Sequence, residues 1–128
     1  HVIMYRKKGM IPMQLNCDIK KRGKIIAKAQ RVPYELEDNI LTFEWEDMKH
    51  CLDLENMEFT RENDDYSFFL NIKEQTSEIR LKKESYYLQV QVEYANLMKV
   101  KNTITLKYFI ETDDEETEVC IELEGDQK

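Results

Sequence analysis

The chain has 128 residues, of which 41% are hydrophobic and 35% charged, and its formal net charge is −7. This length is typical of a single domain, and the apolar fraction is large enough to form a core. The charged residues are interleaved with apolar ones, which argues against a disordered chain. The acidic balance disfavours nucleic-acid binding, because phosphate backbones repel such a chain unless it has a local basic patch.

The charge is unevenly distributed along the chain. Residues 1–31 contain nine bases and one acid, whereas residues 32–128 contain ten bases and 25 acids. The basic N-terminal region can therefore either meet an acidic partner or pair with an acidic part of the same chain.

The cysteines and the chain termini give expectations about location and domain limits. Cys17, Cys51 and Cys120 are odd in number and far apart, which disfavours a disulfide framework and fits a reducing cytoplasm. No apolar run approaches the roughly 20 residues of a membrane-spanning helix. We interpret residues 1–10 as an N-terminal extension or tag remnant, residues 11–125 as one β-domain and residues 126–128 as a C-terminal tail.

Alternation of apolar and polar residues predicts strands in the first half of the chain. Residues 13–20 alternate strictly, and Gly23 in the following turn suits a positive φ. A second strand covers residues 25–34, with Ile26 and Tyr34 on one face and Ala27 on the other. Pro33 lacks a backbone donor and marks an edge, a bulge or the end of this strand.

The next segment fits two periodicities. Leu41, Trp45 and Met48 have helical spacing, but residues 41–46 also alternate strictly around Phe43. The β-branched and aromatic side chains favour a strand here. Further strands are predicted over residues 50–54, 57–61, 66–72, 77–82 and 86–94, with a break at Ala95-Asn96. A closing hairpin covers residues 102–124, in which residues 104–110 and 119–123 alternate on either side of an acidic turn.

Eight to ten short strands separated by turn signals predict an all-β fold, a single antiparallel up-and-down barrel. Closing the barrel pairs the first strand with the last and removes exposed edges. With an even number of strands, the basic turn at Lys20–Lys24 and the acidic turn at Asp113–Glu116 lie at the same end. We expect their opposite charges to meet where the barrel closes.

Three stretches of the sequence resemble a known family. They are the run Phe59-Thr60-Arg61-Glu62-Asn63-Asp64-Asp65-Tyr66-Ser67-Phe68 and the closing runs Ile104–Tyr108 and Val119–Leu123. They resemble the YwiB-like family of uncharacterised small bacterial proteins. The resemblance covers about residues 13–124 and implies a calycin-like, lipocalin-like barrel in the bacterial cytoplasm. It supplies no catalytic residues.

The sequence offers little that is suited to catalysis or metal binding. His50 and Cys51 are adjacent, and adjacent side chains of a strand point to opposite faces, so they do not form a catalytic dyad. The acidic run from Asp113 to Glu116 lacks the spacing and the glycine of a calcium-binding EF-hand loop. We therefore predict no catalytic residue, no metal site and no cofactor, and we interpret the acidic run as a solvated turn.

Arg61 is the strongest candidate for ligand binding. It continues the inward face that Met57 and Phe59 begin, and an inward guanidinium can bind a carboxylate or phosphate through two hydrogen bonds. The alternatives are that it reaches water beside Asp64 or pairs with an internal acid. Aromatic residues with a polar tip and an apolar body can line the same pocket. The candidate ligand-binding residues are Arg61, Tyr66, Tyr86, Tyr94, Tyr108 and Trp45.

These observations leave two functional interpretations. The first is a non-catalytic binding module that holds a small apolar or acidic ligand inside the barrel. The second is a structural or protein-interaction module with a filled barrel, which uses its surface and its basic N-terminal hairpin. A roomy cavity favours the first, whereas a filled interior with an exposed apolar patch favours the second.

Overall fold

The computed structural model describes residues 13–124, which form ten β-strands joined by short connections. The strands are β1 (Gln14–Lys21), β2 (Lys24–Glu37), β3 (Ile40–Trp45), β4 (Met48–Asp53), β5 (Glu58–Glu62), β6 (Tyr66–Asn71), β7 (Thr76–Leu81), β8 (Tyr86–Val100), β9 (Thr103–Ile110) and β10 (Thr117–Leu123). Within these residues no helix is long and apolar enough to cross a membrane.

The strands form one closed barrel in which each pairs antiparallel with its neighbours along the chain. Closure is made by β1 and β10, which are in register from Leu15 opposite Leu123 to Lys21 opposite Thr117. We call this pairing the seam. The all-β, antiparallel up-and-down barrel predicted from the alternation is therefore confirmed, with ten strands.

Two long strands turn the corners of the barrel. The first part of β2 pairs with β1, and from Tyr34 onward the strand pairs with β3. The first part of β8 pairs with β7 as far as Gln91, and from Val92 onward the strand pairs with β9. Register shifts interrupt both the β1–β2 and the β8–β9 pairing. Such irregularities bend a strand and increase its twist, so the sheet can close on itself.

The corners also explain where the predictions from alternation were wrong. The predicted break at Ala95-Asn96 is absent, because β8 continues through it and Ala95 is buried. In β2, Ala27 was predicted to lie on the other face of the strand from Tyr34. Instead it pairs with the inward-facing Ile19 and faces the interior. A register shift of one residue moves all the side chains that follow it to the other face of the strand. The alternation of apolar and polar residues in the sequence does not reveal such a shift.

Fully buried side chains from both walls fill most of the barrel. The largest are Phe59, Phe68, Leu15, Leu41, Leu52, Leu70, Ile104, Leu106, Ile121 and Cys17. Burying one large apolar side chain contributes roughly 1.5–3 kcal/mol, so this core is the main source of stability. The interior is consequently packed, and a cavity remains towards one end of the barrel.

That end, which we call the mouth, carries the turns that lead from each odd-numbered strand to the next even-numbered one. The turn after β1 contains Gly23 with φ of 74°, a backbone conformation that glycine adopts without steric cost. Across the seam Lys21 Nζ lies 3.8 Å from Asp113 Oδ2, and Arg22 pairs with Glu115. The predicted meeting of the basic and acidic turns at one end is therefore confirmed.

We expect the seam to be stabilised by its apolar residues rather than by its charges. Ile121→Ala should lower the free energy of unfolding by about 2–5 kcal/mol, because it leaves a cavity in the core. Glu115→Gln should lower it by at most about 1 kcal/mol, because ion pairs near the surface are well screened. Urea unfolding of both variants measures this, with Glu122→Gln as a control on the outer face of β10. Equal losses for Ile121→Ala and Glu115→Gln would contradict the expectation.

Candidate functional site

Arg61 points into the barrel near the mouth. It lies on the same face of β5 as the buried Phe59, and it is directly opposite His50 of β4 and Phe68 of β6. Its Cζ stands 5.8 Å from the centroid of the Phe68 ring, a distance suited to a cation–π contact. Its Nη2 donates a long hydrogen bond of 3.5 Å to the hydroxyl of Tyr66. The guanidinium is thus held by an aromatic ring and a phenol.

A cavity of about 380 Å³ lies at the mouth around this side chain. Its apolar walls are formed by Ile19, Ile26, Ala27, Phe68, Ile79 and Ile110, and its polar groups come from Lys21, Arg61, Tyr66, Tyr108, Thr112, Asp113 and Thr117. Apolar walls with a few convergent polar groups are typical of ligand sites. The site combines both ends of the chain, since β1, β2, β9 and β10 contribute as well as β5 to β7.

The charge of Arg61 lacks a carboxylate partner among residues 13–124. The acid in the cavity lining, Asp113, instead forms the ion pair with Lys21. Burial opposes the charge of Arg61, but the phenols of Tyr108 and Tyr66 and the carboxylate of Asp113 outweigh it, and the pKa of Arg61 is raised. The guanidinium therefore stays charged in the folded protein, and it can bind an anion that enters the cavity from solvent.

Tyr108 supplies a neutral hydroxyl to the same cavity. Its ring is buried and lies 5.6 Å from that of Phe68. Burial raises the pKa of the Tyr108 phenol, and the opposing effects of Arg61 and of a hydrogen bond with Thr117 do not reverse the shift. At neutral pH this phenol is a hydrogen-bond donor and acceptor rather than an anion.

The structure brings together three of the six candidate residues. Arg61, Tyr66 and Tyr108 line the cavity. Trp45 is half-buried and packs beside His50, with ring centroids 6.3 Å apart, but it does not line the cavity. Tyr86 lies beyond the cavity and is 52% exposed.

Tyr94 is on the outer surface rather than on the predicted inner face. The register shift between Val92 and Tyr94 turns its side chain outward. There it packs edge-on against Phe109 and donates a hydrogen bond of 2.6 Å to Glu116. It is therefore removed from any site inside the barrel.

Several residues of the cavity were not predicted as ligand-binding residues. Thr112, Thr117 and Lys21 reach it only because the seam brings β1 and β10 together at the mouth. Ala27 reaches it because of the register shifts in β2. For Lys21 and the residues around Asp113, the signal in the sequence was the placement of the basic and acidic turns at one end of the barrel.

Three larger depressions on the protein are weaker candidates. One, of about 670 Å³, is lined mostly by charged groups, of which Lys82 pairs with Glu62 at 2.8 Å. Another, of about 580 Å³, lies at the opposite end of the barrel beside Asn39 and Asn102. The third, of about 490 Å³, is lined by residues of β6, β7 and β8 and the turn before β7. None of the three contains a buried charge that lacks a partner, so none matches the chemistry of the mouth cavity.

The buried histidine and the cysteines are placed as expected for core or surface residues. His50 is 4% exposed and stacks on Phe43 with ring centroids 4.7 Å apart, while Cys51 points to the other face. Burial raises the pKa of the Cys17 thiol to about 12, which makes it a poor nucleophile. Within residues 13–124 no cluster of three or more His, Cys, Asp or Glu residues is arranged to hold a metal ion.

His50 has an unusual electrostatic environment. Its Nδ1 has no hydrogen-bond partner in the described part of the chain. Burial, together with the charge of Arg61 on the neighbouring strand, lowers its pKa from 6.5 to about 4. The imidazole is therefore neutral at physiological pH, and it adds no positive charge beside Arg61.

This shift predicts a dependence of stability on pH. Below pH 6.5 the unfolded chain protonates His50 while the folded protein does not, so stability falls as the pH drops from 6.5 towards 4. The full effect is roughly 3 kcal/mol, at about 1.4 kcal/mol for each pH unit. Replacing His50 by leucine should remove this component.

Chemical unfolding of both proteins at pH 7 and pH 4 tests this expectation. The carboxylates titrate in both proteins. The difference between the two proteins in how their free energy of unfolding changes with pH therefore isolates the contribution of His50. The wild type should lose more stability than His50→Leu over this interval, by up to roughly 3 kcal/mol. Parallel losses in the two proteins would show that His50 does not titrate abnormally.

Comparison with known proteins gives no relative from which a function could be transferred. A scan against protein-family models, a search of the curated proteins and a search of the solved structures each found no match. Function is therefore inferred from the mouth cavity and its residues.

Proposed function

We propose that this protein is a non-catalytic binding protein that holds a small anionic ligand in the mouth of the barrel. The observation that carries the proposal is the inward guanidinium of Arg61, which faces a cavity of about 380 Å³ and makes no ion pair with any residue from 13 to 124. Burying a charge is costly unless the charge is paired. A bound anion would supply the missing partner.

The chemistry of the cavity suits a carboxylate or phosphate group. A guanidinium presents parallel N–H donors that match either group. The hydroxyls of Tyr66 and Tyr108 lie in the same lining and can donate to the same anion. Lys21 and Asp113 offset each other, which leaves one positive charge. A ligand with a single negative charge therefore fits best.

The size and composition of the cavity support binding rather than catalysis. About 380 Å³ is at the lower end of the range for small-molecule sites. Its lining contains hydroxyls, two cations and one carboxylate, but no cysteine or histidine. The carboxylate is already engaged by Lys21, which makes it a poor general base.

We extend the proposal to the family of the protein and to its location in the cell. We propose that the chain is a calycin-like protein of the YwiB-like bacterial family, a relationship that the closed ten-stranded barrel supports. The three cysteines are free thiols, which supports a reducing compartment such as the cytoplasm.

A second candidate function is a protein-interaction module. Among the described residues, the part of β2 that precedes Tyr34 pairs with β1 on one side and has no strand on the other. Lys24, Lys28 and the half-exposed Ile25 lie along it. An open edge of this kind can accept an extended acidic segment of another protein as an added strand. Binding of that kind would not depend on Arg61, which separates it from the first candidate.

The first candidate predicts charge-dependent binding at Arg61. Benzoate should bind, and its neutral analogue benzamide should bind much more weakly, because a hydrogen bond to a charged group contributes about 1.5–3 kcal/mol. Arg61→Met should weaken benzoate binding about 10- to 100-fold. Isothermal calorimetry gives the affinities, and NMR shift changes at Ile79 and Ile110 locate the ligand.

Arg80→Met is the matched control. Arg80 is on the outer face of β7, where it pairs with Glu78 and lies over Tyr87, so this variant should bind benzoate like the wild type. Equal benzoate affinity in the wild type and in Arg61→Met would refute the proposed site. Circular dichroism of both variants checks that each remains folded.

A further inference from the structure

We infer that the bound anion carries an apolar chain, which lies along a row of side chains leading from Arg61 out of the barrel. This inference rests on the proposed function and specifies the class of ligand, an amphiphile with one anionic head. Arg61 is opposite Phe68, Phe68 is opposite Ile79, and Ile79 is opposite Leu88.

Residues that are directly opposite each other in antiparallel strands share a face and touch. The four side chains therefore form one continuous row on the inner face of the sheet. The row crosses three strand spacings, about 14 Å in total. A parallel row beside it, nearer the mouth, consists of Tyr66, Leu81 and Tyr86. We call Phe68, Ile79, Leu81, Tyr86 and Leu88 the apolar track.

Exposure increases along the track from the cavity to the outside. Phe68 is buried and Ile79 is half-buried in the cavity wall, whereas Leu88 is 42% and Tyr86 is 52% exposed. Ile26 of β2 is 57% exposed and also lines the cavity. Single exposed apolar residues are common, but a contiguous set that continues a cavity indicates a binding surface.

The distribution of charge identifies the occupant. A cation stands at the inner end of the track, and the side chains of the track are uncharged. The charged neighbours Glu78 and Arg80 alternate with Ser77, Ile79 and Leu81 along β7, so they point to the outer face. A molecule complementary to this pattern has its negative group at Arg61 and its apolar part extending towards Leu88.

A series of straight-chain carboxylates tests the inference. Affinity should rise from hexanoate to octanoate to decanoate by about two- to fourfold for each added methylene, because each one is removed from water on the track. Calorimetry is carried out below the concentration at which each carboxylate forms micelles. Decanol, which has the same chain without the charge, should bind at least tenfold more weakly than decanoate.

Two variants locate the chain. In the double variant Tyr86→Ser/Leu88→Ser, hexanoate should bind as in the wild type, but the gain from octanoate to decanoate should largely disappear. Tyr87→Ser is the matched control, because Tyr87 is 56% exposed but lies opposite Arg80 on the outer face. This control should keep the full dependence on chain length. All three positions are exposed, so the variants should remain folded.

The outcomes separate this inference from the proposed function. If hexanoate and decanoate bind equally well and both require Arg61, the apolar track is overturned while the anion site stands. If no carboxylate depends on Arg61, the proposed function itself fails. Retention of the full chain-length dependence in Tyr86→Ser/Leu88→Ser would also overturn the track. Binding to anionic lipid vesicles without binding to monomeric decanoate would indicate a membrane surface instead, and would overturn it too.

Discussion

The pairing of β1 with β10 is the constraint on which the rest of the structure depends. It joins segments about a hundred residues apart, as in the hydrogen bond of 2.7 Å from Asn16 to Glu124. Closure encloses the apolar faces of both walls. It also places Lys21, Asp113 and Thr117 at the mouth beside Arg61. The candidate site is therefore a direct product of barrel closure.

The corners at β2 and β8 determine the shape of the mouth. A regular strand would keep one face inward along its whole length, but each of these strands changes partner midway. The shifts in β2 turn Ala27 towards the cavity, and the shift in β8 turns Tyr94 away from it. Irregularities of this kind are frequently found near functional sites because they redirect side chains.

Arg61 and His50 form a contrasting pair across two neighbouring strands. The histidine is neutral and stacked in the core, whereas the arginine is charged and faces the cavity. A half-buried cation that has no acidic partner lowers the free energy of unfolding. Residues that lower stability in this way are expected mainly at functional sites. The neutral histidine adds no second positive charge beside Arg61.

The alternation of the sequence by itself predicted most of the strands and the barrel class, and it favoured an inward direction for Arg61, because side-chain direction has period 2 and Arg61 is in phase with Phe59. It also predicted that the basic and acidic turns share one end if the strand count is even, and the count is ten. Only the tertiary structure decided which tyrosines meet Arg61 and that Thr117 and Lys21 join them. The physical reason is that register shifts and seam pairing depend on contacts between distant segments, which local alternation does not encode.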